Sequence, residues 1–158
     1  MLRRLLILAV AVAALALPTS ALAAGGNYGF EGAKPAERST VRAALNASAF
    51  DWSIVPQHVT IHVGSYGVSH STPGDIWLDR RLLGAGRFAW ATIMDEYAHQ
   101  VDFHVLDASR RAVLQDKLGT SAWGYESAGL SHEANGCERF ASMVAWARDG
   151  ENAEASPA

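Results

Sequence analysis

Hydrophobic and polar positions along this chain change period several times, and each change marks an element. Pro35 to Leu45 opens on proline and places Val41, Ala44 and Leu45 on one side, which predicts a first helix ending around Asn46 to Ser48. From His58 to Val63, Val59, Ile61 and Val63 alternate with His58, Thr60 and His62, the two-residue period of a half-buried strand. Gly64 to Gly74, rich in Gly, Ser and Pro, predicts a turn region, and Asp75 to Asp79 a second short strand. The break at Gly84 to Gly86 precedes the strongest helical signal. Between Arg87 and about Leu106, the residues Phe88, Ala91, Ile93, Met94, Ala98, Val101 and Val105 recur at steps of three and four. A third helix is expected from about Ser109 to Leu118, closed by Gly119. Thr120 to Leu130 reads as a loop carrying Trp123, Tyr125 and Glu126. The last helix is predicted from about Cys137 to Arg148, starting near Asn135-Gly136, with Phe140, Met143, Val144 and Trp146 on its buried side. Short strands followed by helices, with no repeat and no linker, predict an α+β domain.

The two ends belong to different categories. Arg3 and Arg4 precede Leu5 to Leu17, an uncharged apolar run of 13 residues, and Ala21-Leu22-Ala23 follows with small residues at the cleavage positions. This pattern predicts a signal peptide over 1–23 and a secreted, extracellular product, and the run is short for a membrane span. Residues 24–34, with Gly25, Gly26, Gly29 and Gly32, are expected to form a flexible lead-in, residues 35–148 one domain, and 149–158 a disordered tail.

Losing residues 1–23 removes two arginines and no acid, so the formal net charge moves from -3 to -5, and what remains is large enough for one core and too small for two. No basic stripe suggests nucleic acid and no second apolar run suggests a stable membrane span, and the chain is expected to be a monomer. Cys137 is the sole cysteine and has no intramolecular disulfide partner. Beside Glu138 its thiol pKa would rise, which favours a buried structural cysteine over a nucleophile.

The chemistry concentrates in the long predicted helix. Asp95, His99 and Asp102 are separated by four and three positions and share one face, with Glu96 turned about 100° to the side. Four titratable groups within two turns of a largely apolar helix must be paired or bound to a cation if buried. In the zinc-hydrolase pattern H-E-x-x-H, two histidines four apart bind zinc while the Glu handles protons. Glu96 and His99 fit that spacing, but Asp95 stands where the first histidine would be. The metzincin extension is excluded, because Asp102 and Val105 occupy the positions that need Gly and a further ligand. His104 falls on another face and reads as a surface or core-edge residue.

The stretch Thr72-Pro73-Gly74-Asp75-Ile76-Trp77-Leu78-Asp79, followed by Phe88-Ala89-Trp90 and then Asp95-Glu96-Tyr97-Ala98-His99-Gln100-Val101-Asp102, resembles the strand-plus-helix core of zincin metallopeptidases. It is most similar to small secreted gluzincin-type proteins, and Glu138-Arg139-Phe140-Ala141-Ser142 looks like the later helix that brings a glutamate ligand in that family. The resemblance spans roughly residues 50 to 148. It implies a zincin-like fold, a small sheet packed on a long active-site helix with further C-terminal helices. It also implies zinc ligands at His99 and Glu138, Glu96 as general base, and Asp102 orienting the imidazole from outside the ligand set. Val59 to Val63 or Asp75 to Asp79 would be the edge strand that holds an extended peptide substrate. Tyr125 and His132 are the candidate donors to the transition-state oxyanion.

Asp95 is the departure. A carboxylate can bind zinc at about 2.0–2.2 Å, so a site of Asp95, His99 and Glu138 is chemically admissible. The side chain is shorter than histidine, which draws the metal toward the helix. An added negative charge also weakens the metal's pull on its water and slows hydrolysis near neutrality. Oxygen-rich ligation favours Mn or Ca relative to Zn. The leading expectation is a metal-dependent peptidase with a degenerate motif. The alternatives are a catalytically inactive zincin-fold protein that binds peptides or a partner, and an exported structural module in which the motif is accidental.

Overall fold

The computed structural model describes residues 26–124 and 130–146. The expected signal peptide, Tyr125 and the expected tail lie outside the described residues. Four strands and four helices follow one another as β1 (Tyr28–Glu31), α1 (Pro35–Ala47), β2 (Val59–Gly64), β3 (His70–Thr72), β4 (Asp75–Asp79), α2 (Arg87–Val105), α3 (Ala108–Leu118) and α4 (Gly136–Trp146). Short 3-10 turns lie at Trp52–Ile54, Leu82–Gly84 and His132–Ala134. This is a mixed α and β architecture with one small sheet, compatible with the expected α+β class.

Two expectations fail at the sheet. The lead-in is not wholly flexible: Tyr28 to Glu31 forms β1, pairing in parallel with β2 from Tyr28 opposite Val59 to Glu31 opposite His62. Tyr28 and Phe30 alternate with Gly29 and Glu31, a two-residue period that the surrounding glycines obscure in the sequence, and both rings pack against the core. The Gly64 to Gly74 region likewise contains β3, which pairs antiparallel with β4. Pro73 and Gly74 make the tight turn between them, and Gly74 has φ 87, the left-handed conformation that glycine adopts without cost.

The strand order is β1-β2-β4-β3, so β2 and β4 are interior strands. The expected substrate edge is therefore corrected: neither Val59 to Val63 nor Asp75 to Asp79 has a free edge, and the short β3 does. Val59, Ile61, Val63, Ile76 and Leu78 point inward and are almost wholly buried. On the opposite face, Glu31, His62, Trp77 and His70 form a row across all four strands. The His62 and His70 rings stack on the two sides of Trp77 at 5.0 and 4.9 Å.

α2 lies between the sheet and α4 and is buried nearly all round, from Ile93 and Met94 through Glu96 to Asp102. Its Gln100 is fully buried and pins the β3–β4 hairpin. The side-chain carbonyl accepts from Gly74 N at 2.9 Å, and the amide donates to Thr72 O and Asp75 O at 2.9 and 3.2 Å. That anchoring fixes β3 beside the polar residues of α2.

α4 buries Phe140 and Val144 as expected, but not Met143 and Trp146. Cys137, Phe140, Ala141, Val144 and Ala145 are buried, whereas Met143 and Trp146 are 50% and 56% exposed. The small Ala141 and Ala145 let the two helix backbones approach closely, which the larger side chains would prevent. At the start of α4, a Cβ on Gly136 would come within 2.7 Å of Trp123 Cε3 and 3.0 Å of Thr120 Oγ1. Gly136→Ala is therefore expected to destabilise the fold by about 1–3 kcal/mol. Urea unfolding checks this, and an unchanged midpoint would show that Trp123 yields freely.

Candidate metal centre

α2 and α4 run antiparallel, because Asp95 meets Ser142 while one turn further on His99 meets Glu138. The four-residue spacing on α2 stacks Asp95 and His99 on the face that α4 covers. Glu138 enters from the first turn of α4. His99 Nε2 is 3.5 Å from Glu138 Oε1 and 3.9 Å from Asp95 Oδ2. One ligand atom from each of the three residues lies within 4.8 Å of the other two. Donors around a tetrahedral ion at about 2.0–2.2 Å sit roughly 3.4 Å apart, so the His99–Glu138 edge has that spacing and the Asp95 edge is slightly open. The short aspartate side chain accounts for the gap.

Each carboxylate is held from behind. Ser142 Oγ donates to Asp95 Oδ1 at 3.2 Å, and His132 Nδ1 lies 3.0 Å from Glu138 Oε2. Each acid thus keeps one oxygen facing His99 and has its other oxygen anchored outward, which favours monodentate ligation. Glu96, beside the cluster, receives a 2.8 Å hydrogen bond on Oε2 from Ser71 Oγ, itself 2.9 Å from the Glu96 main-chain carbonyl. Ser71 comes from β3, the strand that Gln100 positions.

Burial sets the electrostatics. It pushes the Glu96 carboxyl up to about 7, against the opposing pull of the Ser71 hydrogen bond and of His99. It also raises Asp95, with His99 working the other way. For His99, burial opposes the charged form, but the hydrogen bond and charge of Glu138, with help from Asp95 and Glu96, outweigh it and raise the pKa. Three acids and one imidazole sharing a poorly solvated space form a proton-holding cluster that a divalent cation would neutralise.

The cluster opens into a cavity of about 740 Å³, lined among others by Ser71, Glu96, His99, Phe103, Arg111 and Trp123. Trp123 lines it, whereas Trp77 is stacked between the histidines on the far sheet face. Cys137 also borders the cavity, buried, its thiol pushed up to about 11 mainly by desolvation, as an inert structural cysteine would be.

Other expected roles shift. Asp102 does not orient His99: its Oδ1 accepts from Arg111 Nε at 2.8 Å and Trp123 Nε1 at 2.9 Å, and its carbonyl accepts from Arg111 Nη2 at 2.7 Å. The carboxylate ties α3 and the Trp123 segment to α2, because α3 doubles back and brings a cation nearer than His99. His132, a candidate oxyanion donor, lines the cavity and has its Nδ1 3.0 Å from a carboxylate of the cluster. Tyr125 lies outside the described residues. Sequence reasoning missed Ser71, Ser142 and Gln100, since a hydroxyl or amide distant in sequence carries no spacing signal.

Fold and site together define a mixed α and β domain with a candidate metal centre of two carboxylates and one imidazole, next to a third buried acid. Compared with protein-family models, curated proteins and solved structures, the chain gives no significant match.

Proposed function

We propose that this chain is a secreted, zincin-like, metal-dependent peptidase that binds zinc through Asp95, His99 and Glu138 and uses Glu96 as general base. The observation that carries the reading is the approach of Glu138, more than thirty residues away in sequence, to His99 and Asp95, with Glu96 facing the same cavity. Among the described residues three inward donors meet there, and both ligating acids have their second oxygen tied back. That suits zinc, or manganese with added water, better than calcium, which takes six to eight oxygens. Zinc held there would supply Lewis-acid polarisation of a peptide carbonyl.

The chain's own residues divide the remaining work. Ser71 fixes the Glu96 carboxylate, which takes the proton of the attacking water and returns it to the leaving amine as the C–N bond breaks and hydroxyl adds to the carbonyl carbon. β3, the free edge beside Glu96, is the strand on which an extended peptide would pair.

Zinc titration of the purified protein tests the centre. Glu138→Gln should lower zinc affinity by more than Ser142→Ala or His132→Ala, each of which should cost about 10–100-fold as a partner behind a ligand. Wild-type affinity in Glu138→Gln would remove the centre from consideration.

A further inference from the structure

Beyond the cluster, the cavity runs one helical turn along α2 to a second polar group that the hydrolytic reading does not use. Asp102 is three residues past His99, about 4.5 Å along the helix axis. Asp102 is 4% exposed, and it holds Arg111 by Nε and Nη2 with bonds of 2.8 and 2.7 Å. Two of the five guanidinium N–H donors are thereby committed, which fixes the plane of the fork. The remaining donors are on Nη1 and Nη2, and the Arg111 side chain keeps about a third of its surface accessible at the cavity wall. The same part of the chain lines the cavity with Phe103, Ala108, Ala112, Gln115 and Trp123. Trp123 Nε1 also donates to Asp102, which ties the indole to the same end.

An arginine pre-oriented by a buried acid at the wall of a cavity is built to receive a planar anion. In a peptide, the α-carboxyl carbon of the last residue is three bonds, under about 4 Å, from the carbonyl carbon of the preceding peptide bond. Arg111 lines the same cavity as Glu96 and His99 and is held by the residue three positions past His99 on α2, so a ligand bridging the cluster and the guanidinium is a short one. We infer that Arg111 binds the free α-carboxylate of the residue just beyond the scissile bond, so that the enzyme removes C-terminal residues rather than cutting within chains. The recess of Phe103, Ala108 and Ala112 takes the side chain of the departing residue. This inference rests on the proposed metal centre.

Succinic monohydroxamate tests it, because its hydroxamate can chelate zinc and its carboxylate lies three bonds from the hydroxamate carbonyl carbon. Bound to the zinc-loaded protein, it should be at least about ten-fold tighter than its primary amide, a difference of about 1.4 kcal/mol. It should also bind tighter than glutaric monohydroxamate, whose fourth bond imitates an aspartate side chain. Arg111→Gln should erase the acid-over-amide preference while zinc affinity stays the same. Arg111→Lys, which keeps the charge without the fork, should retain only part of it. Should Arg111→Gln fail to fold, the wild-type series decides. Equal binding of acid and amide, or tightest binding of the glutaric compound, overturns the carboxylate pocket with the metal centre intact. Failure to bind zinc removes the metal centre and the inference with it.

Discussion

Glu96→Gln is expected to make the metal-free protein more stable at alkaline pH and to eliminate peptide hydrolysis. The unfolded chain ionises Glu96 near its ordinary value of 4.5, whereas burial holds it protonated in the fold until about pH 7. Between those values the folded state binds the extra proton, so its stability falls as pH rises from 4.5 to 7 and levels off above. The full cost is on the order of 3 kcal/mol, since each unit of difference is worth about 1.4 kcal/mol. Glutamine has no charge to desolvate and can still accept from Ser71. Urea midpoints measured with chelator should therefore coincide near pH 4 and separate in favour of the variant at pH 8. A separation that is absent at pH 8, or present already at pH 4, would contradict the burial argument. With zinc added, the same variant should lose at least about a hundred-fold in peptidase rate, the scale of a general base. An unchanged rate would assign the measured hydrolysis to another protein. Greater stability with lost activity is the signature of a group held in an unfavourable environment because the reaction needs it there.

Asp95→His has the second large expected effect, and it separates the two leading readings of the site. Replacing a carboxylate by a neutral imidazole leaves the ion's charge less compensated, and a lengthened side chain closes the open edge between positions 95 and 99. Zinc affinity and hydrolysis near neutrality should both rise, the rate by about ten-fold for each unit by which the zinc-polarised water becomes more acidic. Zinc content and peptidase activity measured in wild type and variant give the answer. Metal and hydrolysis in both proteins support an active enzyme slowed by its aspartate. Metal and hydrolysis in the variant alone mean that the natural chain keeps the architecture without the reaction, and its cavity then serves binding. The Ser142 bond to Asp95 favours the first outcome, because it holds the carboxylate in the orientation a ligand needs.

The amino-acid sequence by itself determined the features that follow from local periodicity. The step of three and four along Arg87 to Val105 is a property of neighbouring residues, so the long helix was legible, and with it the shared face of Asp95 and His99. The alternation at Val59 to Val63 and the five residues of β4 were legible for the same reason. At β1, which glycine interrupts, and at β3, three polar residues between glycine-containing turns, the local signal vanished, because a strand of three or four residues is stabilised mainly by its neighbours in the sheet and little by its own composition. On α4 the burial of Phe140 and Val144 was legible, but Met143 and Trp146 stay out while the small Ala141 and Ala145 go in, because packing between two helices selects by fit as well as by hydrophobicity.

Only tertiary structure decided which polar groups answer one another. Asp102 sits on the correct helical face for His99, yet Arg111 and Trp123, nine and twenty-one residues away in sequence, claim its carboxylate. His132, Ser142 and Ser71 each secure an acid of the cluster across a long loop or between elements, and no spacing rule connects them. A helix dictates which side chains point the same way through bonds along its own backbone. The partner each side chain meets is set by how whole elements pack, and that depends on every residue in the interface at once.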